Sequence, residues 1–340
     1  LADAHNYDNV KRKDTIITKS MKDKVAKQDY KYYYVDKDVA APKILKRFTP
    51  ANYAVFFQHG KNDFERLIFP EQGPYDEKEE SKYEEWREYC EANDISFPEF
   101  VNKRDIMRFI VCNNYKVKDA VSNLQRNIEF MDDIKPIYLD DNLKEILDSG
   151  YIYLHGRDRS LRPICYNNMG VMSRNDYDVM DAFNANWYVI YYLIDHICAP
   201  GQVENWIMVG DLDGLSMTKI PTKVTKSIMK STQDNLKSRI GFFYYLNVTW
   251  GLRATWTLVK HFLDKRIRNK TTLISGQIDE NLLASAHPSQ IEEKYGGEAP
   301  NVTQFWPPYA PSDEYDVNPD CLSATEHKSG SKTKSNTDSD

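Results

Sequence analysis

At 340 residues and 41% apolar content, the chain is long enough to bury a sizeable core. A net charge of −6 and a pI near 5.7 argue against nucleic acid as a general partner. Cys90, Cys112, Cys165, Cys198 and Cys321 are widely spaced without a C-x-x-C pair, which fits a reducing, cytoplasmic compartment rather than a disulfide or zinc framework.

The charge is uneven. Residues 1–47 carry 12 Lys or Arg against 7 Asp and no Glu, a net of +5 that leaves −11 for the remainder. This basic arm has too little apolar surface to fold alone and is expected to be disordered or draped over the body. Contact with a membrane or a protein partner is the alternative for it. Phe56, Phe57, Leu67, Ile68 and Phe69 follow and must dock somewhere, before a Pro and Gly cluster that ends at Pro74. Residues 1–75 are therefore read as a basic, partly disordered extension. No signal-peptide core is expected at the N-terminus, and the absence of an initiating Met leaves open that upstream sequence is missing.

Residues 76–135 read as a helical lobe. Tyr83, Trp86, Tyr89 and Cys90 recur at helical spacing on an acidic segment. A short apolar helix spans 105–111, and Val117, Val121, Leu124, Ile128 and Met131 mark a third. Beyond Pro136 the pattern changes. Strand-like runs at 151–154 and 163–166 flank the turn GRDRSLR, and strands at 205–209, 242–248 and 271–275 alternate with helices. That alternation predicts an α/β fold with a mostly parallel sheet and crossover helices over 136–311. Residues 312–340 are expected to form a disordered tail.

The stretch 250–274, WGLRATWTLVKHFLDKRIRNKTTLI, stands apart. Leu252, Trp256, Val259 and Leu263 lie at i, i+4, i+7 and i+11, Phe262 widens that face, and five Lys or Arg gather at its end. By itself this is a core helix, a membrane-contacting flap or the lid of an apolar pocket. Catalytic signatures are missing: there is no P-loop, no G-x-G-x-x-G, no G-x-S-x-G and no H-E-x-x-H. His196 and Cys198 are two apart on one helix and face different ways, and Asp211 and Asp213 read as turn formers. The chain is expected not to be an enzyme, and no cofactor or metal is expected.

Several segments in order carry a resemblance. Arg108-Phe109-Ile110 with Tyr115-Lys116-Val117 resembles "RFLRARKFDVEKA", Arg162-Pro163-Ile164-Cys165-Tyr166 resembles "GRPVxY", and the stretch from Asp211 to Ser216 resembles "DLxGxS". Phe262-Leu263-Asp264 with Lys270 resembles "PFLDxxTxxKI", and Glu293-Lys294-Tyr295-Gly296-Gly297 resembles "LPxEYGG". On these motifs the chain resembles CRAL-TRIO proteins, including phosphatidylinositol and phosphatidylcholine transfer proteins.

The resemblance implies a helical N-terminal lobe and a sheet flooring a hydrophobic pocket, with Leu252, Trp256, Val259, Phe262 and Leu263 on a movable gate. It implies pocket walls at Phe183, Trp187, Tyr191, Trp206 and Met208. Lys270, Arg239, Ser238, Asn113, Asn114 and Tyr166 fall at the head-group positions. Among these, the family's basic pair is replaced by Asn113 and Asn114, and the acid of its "PER" segment by Ser238. The implied function is binding and transfer of one phospholipid, phosphatidylinositol favoured, with transient membrane contact. A recruitment module with a vestigial pocket is the alternative.

Overall fold

The computed structural model describes residues 42–134, 137, 139–215 and 222–323. The arm at 1–41, the segment from 324 onward and Ser216 lie outside the described residues.

Three helices build the N-terminal lobe. Helix α1 (Glu77–Ala92) begins with a capping box: the Asp76 carboxylate accepts from Glu79 N at 2.8 Å, and Glu79 accepts from Asp76 N at 3.0 Å. Asn102 and Asp105 repeat the device at the start of α2 (Lys103–Cys112). In α3 (Val117–Ile134), Val117, Val121 and Leu124 are buried at the spacing read from the sequence. These helices bury Trp86, Cys90, Phe109 and Ile110 in one cluster, which Phe69 joins from outside the lobe.

Phe69 arrives there because residues 56–69 are structured. Strands β1 (Phe56–Gly60) and β2 (Asp63–Arg66) form an antiparallel hairpin that the sequence reading did not anticipate. Its base is held hard. Arg66 makes two 2.7 Å bonds to Glu79, and the Phe69 backbone N–H donates to buried Glu204 at 2.7 Å. The expected tail also needs correction at its start. Tyr315, Val317 and Cys321 are buried with Leu45, Phe48 and Val203, and Phe48 bridges Leu322. Three spaced apolar residues in a polar stretch suffice to dock it, although such spacing has no helical or strand period.

The α/β part opens with α4 (Asp141–Asp148), then β3 (Ile152–Arg157) and β4 (Pro163–Asn168) as an antiparallel pair. Helices α5 (Met169–Asn175) and α6 (Val179–Tyr192) lead to β5 (Trp206–Asp211), and α7 (Thr222–Asn235) leads to β6 (Ile240–Leu246). Then come α8 (Trp250–Val259), a 3-10 turn over Lys260–Phe262, α9 (Lys265–Asn269) and β7 (Thr271–Leu273). The sheet order is β3-β4-β5-β6-β7, parallel from β4 onward, in agreement with the expected α/β class. Each parallel pair is joined by helical crossovers, as the geometry of parallel strands requires. The last helix, α10 (Glu280–Ser285), packs Leu282 into the core.

Side chains alternate along each strand, so the sheet divides its residues between two faces. Leu154, Cys165, Trp206, Met208 and Phe243 belong to a cluster with α4 and α6. Tyr153, Ile164, Tyr166, Ile207, Val209 and Tyr244 belong to another with Leu282, Ile291 and Tyr295.

Candidate functional site: a half-covered sheet face and a buried ion cluster

The register pairs Met208 with Phe243 and Gly210 with Tyr245, placing these residues on one face of the central strands. The Tyr245 ring lies across Gly210: a Cβ added there would sit 2.7 Å from the ring, so glycine lets the floor lie flat. Phe243 and Tyr245 stack at 5.9 Å, and Met208 and Phe243 are only partly buried. Above this floor, Trp256 of α8 approaches Tyr245 at 6.2 Å between ring centroids.

None of the described side chains of α8 is buried. Leu252 and Trp256 are half-buried, Trp250 is 85% exposed, and beyond the helix Phe262 is 54% exposed. The Val259 side chain lies outside the described residues. Thr249 caps the helix start, and the turn at Lys260–Phe262 breaks what the sequence suggested was one continuous helix. Gln233 bridges the break, its amide donating to Phe262 O at 3.2 Å and its carbonyl accepting from Asp264 N at 2.6 Å.

The expected walls are placed differently. Phe183, Trp187 and Tyr191 of α6 are buried, with Trp187 against Phe130 at 4.9 Å. Trp206 is 0% exposed. These four are packed core, because α3 and α4 cover the face that would otherwise border a pocket; Met208 alone among the named wall residues is half-open.

The head-group residues separate into three places. Tyr166 lies on the opposite sheet face, its ring 5.1 Å from both Tyr153 and Tyr295, because the strand period points it away from α8. Arg239 turns to Glu204, donating to its backbone O at 3.3 Å; Glu204 also pairs with Arg108 at 2.7 Å. Burial pushes the Arg239 pKa down to about 10, with the Arg108 charge adding to it and the Glu204 carboxylate opposing it. Lys270 and Ser238 do come together, and both meet a residue the sequence reading missed. Lys270 Nζ lies 3.0 Å from Glu65 Oε2, and Ser238 Oγ donates to Glu65 Oε1 at 2.9 Å.

Asn113 and Asn114 border this cluster at the end of α2. Asn113 donates to Phe109 O at 2.7 Å and accepts from Asn123. Asn114, in the left-handed region at φ 54°, accepts from Arg266 Nη2 at 2.9 Å. Their neighbour Cys112 contacts Ser238 at 3.0 Å. Glu65 also accepts from His59 Nε2 at 2.8 Å. Burial pushes the Glu65 carboxyl up, but the His59 hydrogen bond, the Lys270 charge and the Lys270 and Ser238 hydrogen bonds outweigh it and hold the group at about 2. No local signal marks Glu65 or His59, since they meet only across the hairpin and their other partners, Ser238, Asn269 and Lys270, lie far along the chain.

A small, partly open pocket of about 20 Å³, near the size of one water, lies beside Leu154, His155, Arg157, Ile197 and Tyr309. Neither ring nitrogen of buried His155 has a hydrogen-bond partner, and burial holds its pKa down to about 4. Among the described residues no cluster of three His, Cys, Asp or Glu is placed to hold a metal, and no helix is long and apolar enough to cross a membrane.

Residues 147–297 match the CRAL/TRIO domain family model. The chain carries a CRAL/TRIO domain. This family comprises lipid-binding and lipid-transfer proteins, and the matched residues take in the whole five-stranded sheet, α8 and the Lys270 corner. Patellin-6 of Arabidopsis thaliana is 25% identical over 228 residues, covering 62% of this chain and 55% of that protein. Clavesin-1 of Rattus norvegicus is 25% identical over 227 residues, 62% of this chain and 63% of that protein. The phosphatidylinositol/phosphatidylcholine transfer protein SFH9 of Arabidopsis thaliana is 20% identical over 242 residues, 65% of this chain and 42% of that protein. The chain spans about half the length of the curated relatives it matches. Among solved structures, one titled "Crystal structure of Sfh5" is similar at a TM-score of 0.48 and 12% identity, over 60% of this chain and 82% of that one. Outside the matched span, the CRAL/TRIO domain is joined by the β1–β2 hairpin, whose Glu65 reaches Lys270.

Proposed function

We propose that this chain shelters one amphiphile, a phospholipid by preference, between the Met208–Phe243–Tyr245 floor and helix α8, and carries it between membranes without catalysis. The observation that supports this most is α8 itself. A helix with Leu252, Trp256 and the flanking Trp250 and Phe262 would be buried if it served the core, yet none of these four is buried. Apolar surface left half-covered beside a flat aromatic floor gains most when hydrocarbon enters between them. A two-tailed lipid has roughly 30 methylenes, and at about 0.8 kcal/mol each its tails need on the order of 25 kcal/mol of shelter. Single head-group hydrogen bonds contribute about 0.5–1.5 kcal/mol each, so tails set affinity and head-group contacts choose among lipids.

Phosphatidylinositol is the favoured ligand because Lys270 and Ser238 stand together at the start of β7 and β6, where a phosphate could be met. In this reading residues 76–135 are a supporting helical lobe, 136–311 the lipid-binding unit, and exposed Trp250 and Phe262 with the basic corner touch the membrane transiently. Native mass spectrometry of the purified protein should detect one lipid per chain. Protein that is lipid-free from every expression host, and that takes up no pyrene-labelled phospholipid from vesicles, would overturn the proposal.

A further inference from the structure

The two head-group residues that meet are already occupied by the chain itself. Glu65 is 2% exposed and is the acceptor for three side-chain donors: His59 Nε2 at 2.8 Å and Lys270 Nζ at 3.0 Å on one oxygen, Ser238 Oγ at 2.9 Å on the other. Lys270, 4% exposed, gives a second donor to Ile240 O at 2.9 Å. An ionised carboxylate cannot donate, so His59 holds a proton on Nε2, and its Nδ1 faces the Asn269 amide at 3.4 Å. With Ser238 donating to Glu65, the Cys112 thiol is left to donate to Ser238 at 3.0 Å. An ammonium, a hydroxyl and an imidazole N–H converging on one carboxylate are the donor types that serve a phosphate oxygen equally well.

The carrier of this carboxylate is a small element. A two-stranded hairpin is marginal by itself, so the tip at 56–65 depends on what it touches. Beyond the Glu65 contacts these include Asp63 with Lys265 at 3.4 Å, His59 with Asn269, Phe57 against Phe242 at 5.5 Å, and Phe56 under the Arg66 guanidinium at 4.6 Å. Phe64 at the tip is 54% exposed. The base beyond Arg66 is fixed independently by Glu79 and Glu204. Glu65 can therefore leave Lys270 with the tip, without disturbing the anchored base or the core beneath it.

We propose that Glu65 is the charge-selectivity residue of the lipid site: an internal counter-ion that a net-anionic phosphodiester head group must displace to reach Lys270 and Ser238. This rests on the lipid-binding reading above and adds a specific consequence. While Glu65 is in place it neutralises Lys270 and repels a second anion, so only an anionic head group that takes over the contacts of Glu65 reaches Lys270 and Ser238. Entry of an anionic head group also frees the hairpin tip from the segment 265–270 that follows α8.

The test uses the full chain and Glu65→Gln. By calorimetry with glycerophosphoinositol, the variant should bind on the order of tenfold or more tightly than wild type, since a buried like charge is removed and the amide still accepts from Ser238. Adding Lys270→Ala should abolish that gain. In Glu65→Gln the ratio of pyrene-labelled phosphatidylinositol uptake to pyrene-labelled phosphatidylcholine uptake should rise above that of wild type. Equal or weaker glycerophosphoinositol binding by Glu65→Gln overturns the proposal, and an equal gain for inorganic phosphate overturns the head-group assignment in favour of free phosphate. Should Glu65→Gln fail to fold, wild type decides: saturating glycerophosphoinositol must speed amide exchange at residues 56–66, and unchanged exchange counts against displacement. Absent uptake of both labelled lipids by every variant refutes the lipid reading separately, because the soluble head group judges Glu65 without tails.

Discussion

One face of the sheet is closed by rings in contact, while on the other, beyond the part packed by α4 and α6, the β5–β6 floor lies beneath α8, a helix that buries none of its described side chains. On the closed face Tyr153, Tyr166 and Tyr295 stack at 5.1 Å, and Tyr153 donates to Glu292 at 2.5 Å. Burial pushes all three phenols up, so they stay neutral in a packed interior. On the α8 face Met208, Phe243, Tyr245 and Trp256 are half-buried. The same strands supply both faces, so the difference comes from what is laid over them. A face sealed to interior density has no room for a ligand, whereas a floor under a half-exposed helix can exchange its cover for hydrocarbon.

The largest expected effect falls on the closed face. Tyr166→Ala should cost about 3–5 kcal/mol in denaturant unfolding, the range for emptying an aromatic site in a core. Its effect on the choice between phosphatidylcholine and phosphatidylinositol should be nil; altered lipid preference with unaltered stability would restore Tyr166 to the head-group site. The next effect is on pH. His155 is held neutral at about 4 in the fold against 6.5 for the free group, so the unfolded chain binds more protons between those values. Stability should be full above about 6.5 and fall by up to about 3 kcal/mol as pH drops toward 4. His155→Phe should flatten that slope in unfolding titrations.

Glu65 titrates lower. Its folded value of about 2 lies below the ordinary 4.5, so its contribution is present above 4.5 and lost as pH falls through about 2. That loss is of similar size, about 3 kcal/mol, and Glu65→Gln should remove it from the acid limb. On the α8 face, Trp256→Ala should change stability by less than about 1 kcal/mol yet strongly reduce labelled-lipid uptake. A large stability loss there would make α8 an ordinary core helix. The smallest effect separates Tyr166 ring from hydroxyl: the buried Tyr166 hydroxyl has no hydrogen-bond partner, so Tyr166→Phe should leave the melting temperature unchanged or slightly raised.

The sequence carried the periodic parts of this molecule well. Val117, Val121 and Leu124 on α3, and the apolar runs that became β4, β5 and β6, announce themselves because each must bury a repeating face. The β1–β2 hairpin had no such signal, since Phe56, Phe57, Glu65 and Arg66 offer neither alternation nor a glycine-rich two-residue turn. Motif order marked the Lys270 corner but not which way its neighbours face. Arg239 is adjacent in sequence to Ser238 and yet serves Glu204 instead of Lys270.

By itself, then, the sequence determined the α/β class, the helices before it, the broad apolar character of residues 250–263 and the nearness of Lys270 to the end of that stretch. These are local properties, written in spacing along the chain. The tertiary structure alone decided that the described side chains of α8 stay partly exposed while α6 is core, that Tyr166 belongs to the sealed face, and that Glu65 neutralises Lys270. Each of those depends on which surface another segment covers, and Glu65 and Lys270, on separate elements, are brought within 3.0 Å only by the fold.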